Sequence, residues 1–429
     1  MTKPPQASDR FLYFVVLWCV CSFKVLLWGI GEAGLRVDDL LMLVAFVLFL
    51  LRGDIVRIPR SRAFRAYLIF VCINFCSAAW NAWMGRVDYL YSTLFAVRLL
   101  QYMVFYYLGY ALRESGIRVW RGLKFYFYAL CIVVPLQAID VIPIASRFNS
   151  LRASGNTNGP YELAAVSAFF LCYFGYRERK KVSAGLAFIL LLLTASRITL
   201  AGTIIGFVMR SVSRSKSKLR AATVVALVVL VLSGGVAWNS SIPNVGENPE
   251  SLANRLQSAS TLVSFNEAHD LYAAVPTFRT AQDYFQTAFV VAIQFGISSG
   301  QDVSGMIRAF RWATLLKSAL AQFDSILIGL GPSFGSAAVD GYYVRVFIET
   351  GIIGLMSFFV FLRAMAKQQG EASGAFWEFV IILIVTSCFI DIFTSYKTMI
   401  LLWLWHGMNE YAGTDGDQVD SRPSVSIDN

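Results

Sequence analysis

The chain has 429 residues, of which 57% are hydrophobic and 15% charged, and a net charge of +10. That is too apolar for a soluble domain, and the basic residues sit in alternate loops rather than in one patch, which argues against a nucleic-acid surface. Only two histidines occur, in no HExxH-like spacing, and the seven cysteines fall inside apolar segments, so neither a histidine metal centre nor a disulfide framework is readable.

Taken in order, the apolar runs predict an all-α polytopic membrane protein of about 12 transmembrane helices, each roughly 20 residues long. The predicted spans are 11–30, 38–51, 67–83, 89–112, 122–142, 160–176, 182–196, 198–213, 221–238, 343–364, 375–393 and 397–411. The first lacks a small-residue cleavage site and reads as an anchor helix rather than a signal peptide.

Basic clusters fix the expected topology. Arg52, Arg57, Arg60, Arg62 and Arg65 form one; Arg113, Arg118, Arg121 and Lys124 a second; Arg177, Arg179, Lys180 and Lys181 a third; and Arg210, Arg214, Lys216, Lys218 and Arg220 a fourth. By the positive-inside bias all four are cytoplasmic, and both termini then lie inside.

Residues 1–238 therefore carry the first nine spans, 239–342 form a large helical exoplasmic loop, 343–412 carry the last three, and 413–429 lack an apolar period and read as a disordered cytoplasmic tail. A connection as long as 239–342 exceeds the usual length and is the candidate functional domain. Within it an aromatic-rich stretch, 284–297, is too short to span and reads as an interfacial or re-entrant helix, and 304–323 reads as a second helix.

Charges embedded in or beside spans are costly, so they are where function is sought. Arg98 lies in mid-span, where a lone guanidinium costs about 3 kcal/mol or more. It needs either a buried acid such as Asp391 or Glu378, or an anionic ligand. Arg197 occupies the tight turn TASRITLAG between two spans, where helix N-terminal amides favour an anion; a snorkelling arginine anchoring the turn would look similar. Arg152 stands in RFNSLRASGNTNGPYE just before a helix, a pattern that an ordinary turn also makes. Arg255 adds an exoplasmic cation. Arg308 and Arg311 share a helix face by their spacing of three, and forked guanidiniums suit a diphosphate, although a solvated face is the commoner use of that spacing.

The region 328–355, IGLGPSFGSAAVDGYYVRVFIETGIIGL, runs a glycine-rich turn into an apolar helix carrying Asp340, Arg345 and Glu349. Asp340 at the mouth is the candidate general base, and Glu349 is expected to pair with Arg345 at i, i+4.

The RASGNTNGPYELAA loop, the TASRITLAG turn, the R-x-x-R helix leading to ILIGLGPSFG, and the DGYYVRVFIETGIIGL junction, in that order, resemble the O-antigen polymerase (Wzy-type) and O-antigen ligase superfamily of bacterial envelope glycosyltransferases. The resemblance covers about residues 37 to 395. It implies a GT-C-like architecture in the bacterial inner membrane. It also implies transfer of glycan from an undecaprenyl-diphosphate-linked oligosaccharide at the periplasmic face, without metal ion or other cofactor, with a flippase and a chain-length regulator as possible partners. Ligases of the superfamily resemble one another in a histidine after the GxG turn; here Val339, Asp340, Gly341, Tyr342 and Tyr343 stand there, which favours the polymerase. On this resemblance Asp340, Arg308, Arg311 and Arg345 would be catalytic, and Arg197, Arg152, Arg98, Arg255 and Glu349 would bind or orient substrate. The alternatives are a ligase-type glycan transferase using the same cations and, in a different class, a lipid-linked oligosaccharide transporter, whose polar residues would gather at the midplane of broken helices.

Overall fold

The computed structural model describes residues 6–23, 26–28, 35–58, 60–143, 153–214, 272–288, 303–335, 339–367 and 374–419. These residues are mainly helical: α1 (Ala7–Cys21), α2 (Val37–Leu51), α3 (Asp54–Arg57), α4 (Arg62–Trp83), α5 (Tyr89–Glu114), α6 (Val119–Ala138), α7 (Pro160–Cys172), α8 (Lys181–Leu193), α9 (Arg197–Arg214), α10 (Val303–Leu320), α11 (Phe323–Ile328), α12 (Tyr342–Lys367), α13 (Gly374–Thr386) and α14 (Tyr396–Val419). By length and composition α4, α6 and α12 are long and apolar enough to cross a membrane; α8 and α13 are shorter apolar helices.

Local sequence sets the helix starts. Ser61 and Asp88 cap α4 and α5 through side-chain oxygens that accept the Phe64 and Tyr91 amides. Pro160 opens α7, where its missing N–H costs nothing.

The predicted spans fall on helices with shifted ends, except 221–238, which lies outside the described residues. Span 11–30 is cut short at Cys21, because Ser22 turns extended (φ −72°, ψ 156°) and its amide closes the last turn on the Trp18 carbonyl. Leu26–Trp28 then pairs antiparallel with Leu35–Arg36, a small ladder that an all-α reading does not anticipate. Span 375–393 ends as helix at Thr386, and Ile392–Thr394 winds as a short 3-10 turn. The last helix runs on to Val419, past the point where the sequence suggests a disordered tail.

Span 343–364 is two half-helices. Gly351 (φ 65°, ψ −164°) breaks α12, and the turn at 329–331 docks into the break. The Leu330 amide donates to the Ile348 carbonyl at 2.7 Å, the Gly331 amide to the Glu349 carbonyl at 3.1 Å, and Ser77 Oγ on α4 also donates to the Glu349 carbonyl at 2.7 Å. Carbonyls orphaned by the break are thereby satisfied, as non-helical backbone at membrane depth requires. Only glycine fits: a Cβ on Gly351 would collide with the Leu327 carbonyl, and one on Gly329 (φ 78°) with the backbone of Glu349 and Thr350.

Among the described residues, the basic loops after α2, between α5 and α6, and after α7 meet at one end. There Arg57 pairs with Glu114, Lys124 with Glu178, and Arg177 donates to Asn409 while covering the Trp120 ring. In the bundle α14 packs on α5, α12 on α4, α13 on α9, and α7 on α8. The α5 and α14 backbones touch, since a Cβ on Gly109 would meet the Leu404 carbonyl and one on Gly407 the Tyr106 carbonyl. Around this contact Tyr67, Phe64, Tyr106, Phe361 and Trp403 form an aromatic core.

At the opposite end a smaller apolar cluster, including Val87, Tyr284, Phe310, Leu315, Leu330, Phe334, Val339 and Ile348, seats α10 and the 272–288 stretch on α12. The expected interfacial helix 284–297 begins as a π-turn over Tyr284–Ala288; its remainder lies outside the described residues. Tyr284 is buried against Phe278 and Phe334, so this start is held by the cluster, while Phe285 remains exposed. The expected helix 304–323 is α10, which stops at Leu320 before α11 begins a new turn.

Candidate functional site

At that opposite end the first half of α12, the turn before it, α10 and the segment after α13 bring charged side chains together. Arg345, only 1% exposed, is held by two acids: its Nε donates to Glu349 Oε1 at 3.1 Å and its Nη1 to Asp391 Oδ2 at 2.9 Å. The i, i+4 pair is the one the spacing predicts. Glu349 Oε1 also accepts the Ser333 amide at 3.3 Å, which ties the pair to the glycine-rich turn.

Asp391 organises the mouth. Beside Arg345, its carboxylate accepts three consecutive backbone amides: Val339 at 2.9 Å and Asp340 at 3.2 Å to Oδ2, and Gly341 at 3.1 Å to Oδ1. Three converging amides and a guanidinium satisfy the oxygens of this buried side chain. Sequence reading considered Asp391 only as a partner for Arg98. Its isolation in an apolar run was the available signal, but the amides it gathers are 50 to 52 positions away in sequence.

Asp340 (φ 60°) turns its side chain toward α10, where Arg308 and Arg311 face it together as their spacing predicts. The pairs are loose: Arg308 Nε lies 3.8 Å and Arg311 Nη1 3.5 Å from Asp340 Oδ2, beyond good hydrogen-bonding distance. Burial raises the Asp340 pKa above its ordinary value; Arg308, Arg311 and Arg345 pull it down, and the Asp391 carboxylate adds to the rise. With its side chain one-third exposed (33%), Asp340 is the acid of this centre most open to a ligand. Trp312 Nε1 donates to the Val339 carbonyl at 2.9 Å, fixing α10 against the same turn.

Three guanidiniums (Arg308, Arg311, Arg345) thus meet three carboxylates (Asp340, Glu349, Asp391). The formal charges of such a centre balance, and Arg308 and Arg311 stand 3.8 and 3.5 Å from Asp340. Arg345 is the more tightly held cation, at 3.1 Å from Glu349 and 2.9 Å from Asp391.

The other sequence candidates lie elsewhere. Arg197 opens α9 at the same end of the bundle, after a turn in which Ser196 Oγ meets Thr199 Oγ1 at 3.0 Å. Arg98 lies on α5 one turn beyond Phe95, whose ring centroid is 5.9 Å from the Arg345 guanidinium. The acids proposed for Arg98 bond other arginines: Asp391 holds Arg345, and Glu378 accepts from Arg210 at 3.1 Å, whereas the charge of Arg98 acts on Asp39 at the start of α2. Arg152 and Arg255 lie outside the described residues.

Sequence reading also missed Arg86. Buried after α4, it pairs with Asp324 at 2.8 Å, accepts Ala281 N–H on its backbone carbonyl at 2.8 Å, and bonds Asn81 and Gln322. It thereby latches the α10–α11 corner to the bundle. Among the described residues no group of three His, Cys, Asp or Glu side chains is arranged to hold a metal ion. No protein-family model matches the chain, and no curated protein matches it in sequence.

Proposed function

We propose that the chain is a membrane glycosyltransferase of the polysaccharide-polymerase kind. It would transfer undecaprenyl-diphosphate-linked glycan onto a lipid-linked repeat unit at the periplasmic face of a bacterial inner membrane spanned about 12 times. The observation that carries the reading is the approach of Arg308 and Arg311 to Asp340 beside the Arg345–Asp391 pair, at the end of the bundle away from the basic loops. The order of the four sequence motifs supports it.

In the reaction the acceptor hydroxyl oxygen bonds to the anomeric carbon while the bond from that carbon to phosphate oxygen breaks. The bonding pair leaves with the diphosphate, and the hydroxyl proton passes to Asp340. Arg308 and Arg311 gain contact as charge grows on the departing phosphate, which lowers the barrier selectively. A diphosphate that draws those arginines away from Asp340 also removes the charges that lower its pKa, so substrate binding makes the carboxylate a stronger base. Direct displacement inverts the anomeric centre.

Purified protein incubated in detergent with a defined undecaprenyl-diphosphate oligosaccharide tests this, with a ladder of longer products expected. In cells, Arg308→Ala, Arg311→Ala and Asp340→Asn should leave folded protein in the membrane yet abolish long chains. Normal ladders from all three would remove these residues from the mechanism.

The break in α12 favours a second reading, a lipid-linked oligosaccharide transporter, since discontinuous helices build substrate sites in transporters. Elongation in detergent, where no compartments exist, decides against it.

A further inference from the structure

Outside the charge centre, at the start of α7, stands another buried carboxylate. Glu162 is fully buried and accepts from two separate segments. Its Oε2 takes the Asn158 amide at 2.7 Å, and its Oε1 takes the Lys397 amide at 2.8 Å and Ser395 Oγ at 2.9 Å.

Residues 391–397, which run from the connection after α13 into the first turn of α14, therefore have an acid at each end. Asp391 at one end grips Arg345 and the amides of Val339, Asp340 and Gly341. Glu162 at the other end grips Ser395 and Lys397. The strap between is stiff: Thr394 N and Thr394 Oγ1 both donate to the Asp391 carbonyl, at 3.0 and 2.7 Å, Ser395 N donates to the Ile392 carbonyl at 3.0 Å, and Tyr102 Oη on α5 donates to the Thr394 carbonyl at 3.0 Å.

The far anchor is fixed as well. Gln137 on α6 accepts the Gly155 amide at 2.7 Å and the Ser154 amide at 3.3 Å through Oε1, and Asn156 Nδ2 donates to the Cys21 carbonyl at 2.6 Å. Loop 153–159 is thus tied to α6 and to the end of α1, and Glu162 joins this loop to the strap.

We infer that Glu162 is a positioning residue for the charge centre, holding Asp391, and through it Arg345 and the amides at 339–341, in register from the far side of the 391–397 strap. The inference rests on reading that centre as catalytic, but its structural part is measurable without substrate.

The experiment is amide hydrogen exchange on the full-length protein in detergent, together with turnover on the lipid-linked oligosaccharide. Glu162→Ala should speed exchange at 339–341 by about tenfold, leave α4 unchanged, and lower kcat with little change in KM. Combined with Asp391→Asn it should cost no further turnover, because both changes act through one connection. Glu162→Gln keeps one acceptor oxygen and should shift the same amides in the same direction by less, which covers the case in which the alanine variant does not fold. Unchanged exchange at 339–341 in both variants, while exchange at Lys397 rises, would overturn the proposal, and so would additive losses in the double variant. A wild-type protein that makes no product sinks the polymerase reading instead, and leaves the exchange result to decide on Glu162.

Discussion

Asp340 combines an uncommon backbone conformation, a raised pKa and loose pairing, and these give it a pH signature. Burial, the largest influence, disfavours its charged form. A carboxyl whose pKa is higher folded than unfolded contributes stability that is present below the unfolded value and lost as pH rises through the folded one. Activity moves oppositely, because a general base must be ionised. Turnover should therefore rise with pH through a limb lying above the ordinary carboxylate value of about 3.9, and Arg308→Gln should move the limb in the residual rate higher still, since Arg308 is the strongest lowering influence. A limb that stays put in that variant would separate Asp340 from the rate. Arg345 predicts something different. Removing it leaves Asp391 and Glu349 as buried charges facing each other, so Arg345→Met should cost about 3–5 kcal/mol of stability, seen as loss of folded protein rather than as an active enzyme with altered KM. Candidate residues close in sequence were legible, as Arg308 with Arg311 and Arg345 with Glu349 show, because helix periodicity alone places them. Asp391 and Glu162 were not, because their value lies in backbone amides delivered from distant segments.

At the scale of elements, the break in α12 and the turn docked into it stand or fall together. Gly351→Ala or Gly329→Ala forces a positive φ on an alanine and drives its Cβ into backbone, and should cost about 3 kcal/mol or more. Gly185→Ala on the exposed face of α8 meets no atom within 4 Å and should be neutral or stabilise by about 0.5–1 kcal/mol. Comparing thermal midpoints of the three variants checks both statements, and equal midpoints would show that the docked turn is dispensable. The Arg86 and Asp324 latch has its own pH behaviour. Burial alone would raise the Asp324 pKa, but the hydrogen bond and charge of Arg86 outweigh it and hold the pKa below the ordinary value. Its stabilisation is present above the unfolded carboxyl pKa and fades as pH falls through the folded one, so Asp324→Asn should loosen the α10–α11 corner at neutral pH as acid does in the wild type. Limited proteolysis at that corner reports it. Helix existence was readable from hydropathy, whereas the break was not: Glu349 and Thr350 before Gly351 and Ile352 and Ile353 after it fit one continuous helical reading, and only the partner turn at 329–331 reveals that the glycine is a joint.

For the whole molecule the alternation of basic and polar ends is the feature most plainly written in the sequence, and among the described residues the basic loops around 57, 114–124 and 177–178 lie together. Cysteine accessibility labelling in intact cells should report position 308 from outside and position 113 only after permeabilisation; the reverse would place the charge centre in the cytoplasm and end the periplasmic reading. Hydropathy and the parity of the basic loops led to an expectation of about 12 spans, and three described helices are long and apolar enough to cross a membrane; the ladder of Leu26–Trp28 with Leu35–Arg36 was not foreseen, because its strands are too short to show a period. The backbone contact between α5 and α14 carries a further consequence. Without water to drive helices together, close glycine approach holds such a pair by dispersion, so the two behave as a single strut. That strut bears Phe95 and Arg98 on one member and continues directly from residues 391–397 on the other. A bilayer too thin or too thick for it is met by leaning the whole strut, not by sliding one helix past the other. On the proposed polymerase reading, reconstitution across acyl chains of graded length should then change the rate of elongation, and a rate indifferent to chain length would separate this strut from the reaction.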